Sequence, residues 1–214
     1  MALLNDEIVQ DVTEMLSDLS NDVKLMVFTK QEDCEYCPQI VQLAEEVAAT
    51  SDKVEIEVND FEASADLAAE YKIEMAPAIA IVGEKDHGMR FFGIPSGREF
   101  PTLLHGIQKA GGAPSELDDA TKSFLDELDQ EVLWQVFVTP TCPYCTRSAV
   151  LAYEMAALSD NLRAEIVESM EFQALASKYN VMGVPLNVIN EGAERVEGAA
   201  PAPMMIDAFK KALA

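Results

Sequence analysis

Two Cys-x-x-Cys pairs stand in this 214-residue chain at matched distances from two prolines, and that repetition restricts the fold more than any other feature. Cys34 and Cys37 are followed by Pro77, and Cys142 and Cys145 by Pro185. Forty residues separate Cys37 from Pro77, and forty separate Cys145 from Pro185. Tyr71 and Tyr179 share the same 108-residue offset. An apolar run precedes each pair, Leu25 to Phe28 in one case and Leu133 to Val138 in the other. Two copies do not make a solenoid; they make a tandem duplication.

Hydrophobic periodicity gives both copies one order of elements. In the first, a helix is predicted over 5–19, a buried strand over 23–29 and a helix from Glu35 to Ala49. A strand over Lys53–Val58, a helix over Glu62–Tyr71 and strands over Ala78–Val82 and Met89–Phe92 follow. A last helix opens at Pro95 or Ser96. The second copy predicts helices over Leu117–Leu128, Pro143–Leu158, Met170–Tyr179 and Pro201–Ala212. Its strands fall at Val132–Val138, Leu162–Val167, Leu186–Ile189 and Ala193–Val196. Gly111 to Pro114 is a short joint, so the units 1–112 and 113–214 are expected to touch. Each is an α/β unit with a central four-stranded mixed sheet flanked by helices, its βαβ crossover right-handed.

A Cys-x-x-Cys at the start of a helix has a chemical reason to be there. A helix N-terminus presents unpaired N–H groups and about half a positive charge, which stabilise a thiolate. The expected roles are Cys34 and Cys142 as exposed nucleophiles, and Cys37 and Cys145 as the thiols that resolve the mixed disulfide. The competing reading joins the two pairs in a four-thiolate zinc site. Against it, 104 residues lie between the pairs, and each pair opens a helix after a buried strand.

Composition narrows the partners. The net charge of -23 disfavours polyanions, so neither nucleic acid nor an anionic membrane surface is expected as a partner. Four cysteines are too few for a disulfide scaffold. No stretch approaches the roughly 18 apolar residues of a membrane span. The first twelve residues lack a basic n-region, so a cytoplasmic location is the default expectation. Neither a dinucleotide fingerprint nor a P-loop is present, so no cofactor is expected and reducing equivalents must come from another protein or a small thiol. His87 and His105 have no partner pattern, and the ten methionines read as core filler.

The segment Thr139 to Cys145, with its Cys-Pro-Tyr-Cys, resembles the glutaredoxin active site, and Gly183-Val184-Pro185 resembles its cis-proline loop. Cys34-Glu-Tyr-Cys37 is a looser version. The tandem arrangement is similar to the glutaredoxin-like protein disulfide oxidoreductases, which have two thioredoxin-fold units in one chain. That resemblance implies reduction, oxidation or isomerisation of protein disulfides, with a thioredoxin-reductase-like flavoprotein as electron donor. It also implies cis bonds before Pro77 and Pro185, leaving the backbone of Ala76 and Val184 free to pair with an extended substrate. The chain is also similar to the N-terminal tandem domain of bacterial flavoproteins that reduce a peroxiredoxin, which makes an electron relay the rival reading. A metal-binding or scaffold module is the rival from another class.

Departures from the pattern raise further expectations. Glu35 stands where proline is usual, and Phe28 and Val136 stand near where a buried acid assists proton transfer in thioredoxins. Asp60 or Glu168 are candidates to replace it, or are solvated strand ends. Tyr36 and Tyr144 are placed to shield the sulfurs or to pack on a substrate. Glu32, Asp33 and Glu35 surround Cys34 and disfavour its thiolate, whereas Arg147 favours that of Cys142. Cys142 is therefore expected to be the more reactive nucleophile, with the first pair slower or serving as an internal relay.

Overall fold

Strand burial shows how the sheet divides the molecule. In the computed structural model, which describes residues 2–214, β1 (Val23–Thr29) is buried on both faces. Leu25 and Val27 face one core while Met26 and Phe28 face the other, the two-residue alternation of a pleated strand. In chain order, α1 (Asp6–Leu16) precedes β1. There follow α2 (Cys37–Ala48), β2 (Val54–Asp60), α3 (Ala65–Glu70), β3 (Ala78–Val82), β4 (Asp86–Phe92) and α4 (Phe100–Ala110). The second unit repeats the plan with α5 (Asp119–Asp126), β5 (Val132–Val138), α6 (Cys145–Ala156) and β6 (Leu162–Glu168). It ends with α7 (Gln173–Lys178), β7 (Leu186–Ile189), β8 (Glu194–Glu197) and α8 (Ala202–Ala212). The larger core lies under α1, α2, α4, α6 and α8; the smaller lies under α3, α7 and a set of aromatic rings that includes Phe28, Phe92 and Phe137.

The strand orders 2-1-3-4 and 6-5-7-8 are the expected mixed sheets, but they are not separate. They join edge to edge into one eight-stranded sheet, ordered β2-β1-β3-β4-β6-β5-β7-β8. The seam is a parallel pairing of Met89–Phe92 in β4 with Ala164–Val167 in β6. From the sequence, β6 is expected to end at Val167, with Glu168 an acid candidate or a solvated strand end. In the fold, Glu165 and Glu168 are buried, because the strand that carries them lies in the middle of the sheet.

Helix starts differ in a way that matters for the chemistry. Asn5 accepts a hydrogen bond from the Ile8 N–H (2.9 Å) and caps α1; Asp118 accepts from Thr121 (2.8 Å) and caps α5. The two cysteine helices begin at Cys37 and Cys145, two residues later than predicted, and neither has a side-chain cap. Their first N–H groups are left for the sulfurs.

Across the seam, α4 packs on α6. Arg90 of β4 is fully buried, donating to the Tyr71 carbonyl (2.7 Å) and paired with Asp86. Tyr153 of α6 donates to the Arg90 carbonyl (2.8 Å). Lys109 of α4 reaches Glu154 of α6 at 2.6 Å, and His105 lies 3.1 Å from the same carboxylate. Gly106 permits this approach: a Cβ there would meet Ile81 Cδ1 at 2.6 Å and the Tyr153 ring at 3.0 Å. Gly106→Leu is expected to destabilise the chain by about 1–3 kcal/mol, read as a lower urea midpoint with an unchanged slope. An unchanged midpoint would mean that the seam is looser than this packing.

Candidate functional site

Both cysteine pairs are closed as disulfides at the carboxyl ends of the central strands β1 and β5. The Cα–Cα distances are 5.4 Å for Cys34–Cys37 and 5.5 Å for Cys142–Cys145. In the first pair, the Lys30 N–H donates to Cys37 Sγ at 3.2 Å. Cys34 is half-buried and Cys37 buried. The cis bond Ala76–Pro77 borders the same cleft of about 600 Å³ as Cys34, Glu35 and Tyr36, so the structure brings these predicted residues together.

The second site differs from expectation. Cys142 is only 6% exposed, less accessible than Cys34, and not the open nucleophile its position in the motif suggested. Its Sγ lies 3.6 Å from the Val184 carbonyl, beside the cis bond Val184–Pro185. A disulfide sulfur has no proton to donate, so this is a contact that becomes a hydrogen bond only when the pair is reduced. Cys145 is completely buried. Arg147 does not reach toward the sulfurs: its Nη2 donates to the Ala199 carbonyl at 2.7 Å, tying α6 to the loop before α8. Tyr36 (36% exposed) lines the Cys34 cleft, and Tyr144 is 65% exposed.

The two pairs open on one edge of the sheet, but β1 and β5 are separated by β3, β4 and β6. Four strand spacings of about 4.8 Å place them roughly 19 Å apart. Direct thiol exchange between the pairs would have to bridge that spacing, which weighs against the internal relay expected from the sequence. Among the described residues, no group of three or more His, Cys, Asp or Glu gathers as a metal site.

Asp60 lies in the first unit, whereas two buried acids reach the centres from across the seam. Asp60 is the partly exposed last residue of β2, and its carboxylate accepts from the N–H groups of Ala63 (2.8 Å) and Glu62 (3.1 Å). Those bonds, Ala63 first, hold its carboxyl below the usual range. Glu168 is 2% exposed and belongs to the second unit, yet it borders the Cys34 cleft of the first. The reciprocal acid is Glu99, in the turn before α4, which sequence reasoning missed. It is 1% exposed, accepts from Thr102 (2.9 Å) and lies 3.4 Å from the hydroxyl of Thr146, the residue after Cys145. Burial pushes its carboxyl up to about 7. No local pattern around either Cys-x-x-Cys marks Glu99, because it lies in the other unit.

With that geometry in view, the sequence profile of the family described as thioredoxin domain matches residues 23–105 and 133–211. The alkyl hydroperoxide reductase component AhpF of Escherichia coli is 24% identical over 188 residues, 88% of this chain and 34% of that protein. The chain thus spans about a third of the length of that relative. The NTD_N/C domain of alkylhydroperoxide reductase AhpF from Enterococcus faecalis superposes with a TM-score of 0.89 at 22% identity, covering 96% of this chain and 99% of that one. A protein disulfide oxidoreductase from Aeropyrum pernix superposes with a TM-score of 0.88 at 28% identity, covering 98% and 94%.

The buried acids predict a pH dependence. Glu99 and Glu171 are both raised from an ordinary 4.5 to about 7, by burial first. The folded state then holds protons that the unfolded state has released, so stability falls as pH rises between about 4.5 and 7. Glu99→Gln removes one share of that loss. Its unfolding free energy between pH 5 and 8 should be flatter than the parent's by up to about 3 kcal/mol. Superimposable curves would show that Glu99 is ionised throughout.

Proposed function

Since the chain belongs to the thioredoxin domain family, we propose that it relays electron pairs from a thioredoxin-reductase-like flavoprotein to a peroxiredoxin. It is a thiol–disulfide oxidoreductase with two Cys-x-x-Cys centres; donor and acceptor are the proposal. The observation that carries it is the alignment of nearly all of this chain with the alkyl hydroperoxide reductase component AhpF.

In each cycle the nucleophile, Cys34 or Cys142, attacks one sulfur of the partner disulfide as a thiolate. The resolving thiol, Cys37 or Cys145, then closes onto the mixed disulfide and releases the partner as a dithiol. The chain is left as a disulfide, and the flavoprotein returns two electrons and two protons. The uncapped N-termini of α2 and α6 stabilise the attacking thiolate and the departing one. The backbone at Ala76 and Val184 is assigned to the partner's extended segment, with Tyr36 and Tyr144 as exposed contacts beside it. Glu35, which lines the Cys34 cleft, is the charged neighbour expected to tune the first centre.

A second reading has its own support. Both pairs are intact, and the likeness to the Aeropyrum pernix protein disulfide oxidoreductase covers nearly all of both chains. On that reading the acceptors are disulfides of many client proteins.

The spacing of the pairs gives a test. With donor flavoprotein, peroxiredoxin and a hydroperoxide supplied, rates are compared for Cys34→Ser/Cys37→Ser and Cys142→Ser/Cys145→Ser. Two centres about 19 Å apart work in parallel, so the two rates should sum to the parent's. Loss of all turnover in both variants would instead show electrons passing between the pairs. No turnover with peroxiredoxin, but reduction of other protein disulfides, would favour the second reading.

A further inference from the structure

The mouth of the first pair is built from carboxylates of both units. Asp33 and Glu35 flank Cys34 from the first, and Glu168 and Glu171 face it from the second. The two glutamates are held firmly. The Glu171 N–H donates to Glu168 Oε2 at 2.6 Å, and the Ile94 N–H donates to Glu171 Oε1 at 2.8 Å. Gly93, at φ +94, leaves them room: a Cβ there would stand 2.7 Å from both Glu168 Cβ and Glu171 Oε1.

Glu168 supplies the independent sign of a missing ligand. Its Oε1 is buried and has no hydrogen-bond partner, and the residue borders the cleft. Such an atom costs free energy until a donor arrives. Burial raises both carboxyls, and Glu171 is raised further by the charges of Glu168 and Glu35. Lys30, the base nearest in sequence, is turned onto the Phe61 ring, 5.6 Å from its centroid. The second cleft, of about 490 Å³ beside Val184, offers the contrast: it is lined by Ser169, Met170, Met182 and other uncharged residues.

We propose that the Cys34 cleft binds a cationic side chain, the lysine or arginine next to the reactive cysteine of its client, against Glu168 and Glu171. The inference rests on the dithiol-exchange reading above. It gives the two centres different clients: disulfides in basic surroundings for the first, and disulfides in neutral or apolar surroundings for the second. The ammonium or guanidinium hydrogen-bonds the carboxyl groups of Glu168 and Glu171 at the cleft and offsets their mutual repulsion. The client cysteine is thereby held against Cys34.

The test uses the full chain with Cys142→Ser and Cys145→Ser, so that only the first centre reacts. The reduced protein is mixed with disulfide peptides of one sequence flanked by lysine, serine or glutamate, and second-order exchange rates are measured. The complementary variant, Cys34→Ser with Cys37→Ser, carries the same net charge and reports general steering by the acidic chain. Lysine peptides should exceed glutamate peptides at the first centre by about tenfold more than at the second. Glu168→Gln with Glu171→Gln, which keeps both side-chain shapes, should bring the two ratios together. Equal ratios at the two centres, or a preference that survives the double Gln variant, would overturn the inference and leave the exchange chemistry standing. If no peptide exchanges at either centre, the dithiol reading fails and takes this one with it.

Discussion

The four-residue parallel pairing of β4 with β6 is the contact on which the rest of the molecule depends. Each unit alone would leave an unpaired strand edge there, with backbone donors and acceptors open to any other chain. Pairing the two edges satisfies those groups and extends the sheet. It also brings α4 against α6, where Lys109 pairs with Glu154 and Tyr153 donates to the Arg90 carbonyl. Removing one member of either pair strands the other without that partner, which ties the two units to one relative placement.

That placement decides what surrounds each disulfide. Glu99 leaves the first unit and ends beneath the second centre; Glu168 and Glu171 leave the second unit and end at the mouth of the first. Each centre is completed by its neighbour, although the covalent chemistry of each lies within one unit. The duplication has thus produced two sites with the same reacting atoms and different environments. One is open and acidic; the other is recessed, its nucleophile against Val184 and its adjoining cleft uncharged.

The repeated elements were legible because they follow local rules. Buried strands, amphipathic helices and the Cys-x-x-Cys at strand-to-helix turns all appear at or within a few residues of their predicted positions. The cis bonds at Pro77 and Pro185 followed from the family resemblance, not from the residues alone. What the sequence hid was every consequence of the seam. A strand such as Leu162–Glu168, with Arg163, Glu165 and Glu168, reads as half-exposed until a neighbour covers it. Arg147 read as a thiolate partner because it lies in the first turn of the helix that Cys145 opens, but a side chain that long is free to choose Ala199. The low exposure of Cys142 was equally hidden, since it depends on a loop some forty residues away.

The seam also has a direction. It joins the last strand of the first unit to β6, the strand that holds in the second unit the place β2 holds in the first. Such a junction does not close on itself: in principle the β8 edge of one molecule could receive the β2 edge of the next, and so on without limit. The outer edges carry the answer in their side chains. β2 bears Glu55, Glu57 and Asp60, and β8 bears Glu194 and Glu197 against a single Arg195, so that the two ends of any growing ribbon would meet with an excess of like charge. The same acidity that gives the chain its large negative charge thus acts, at these two strands, as a stop against fibre growth.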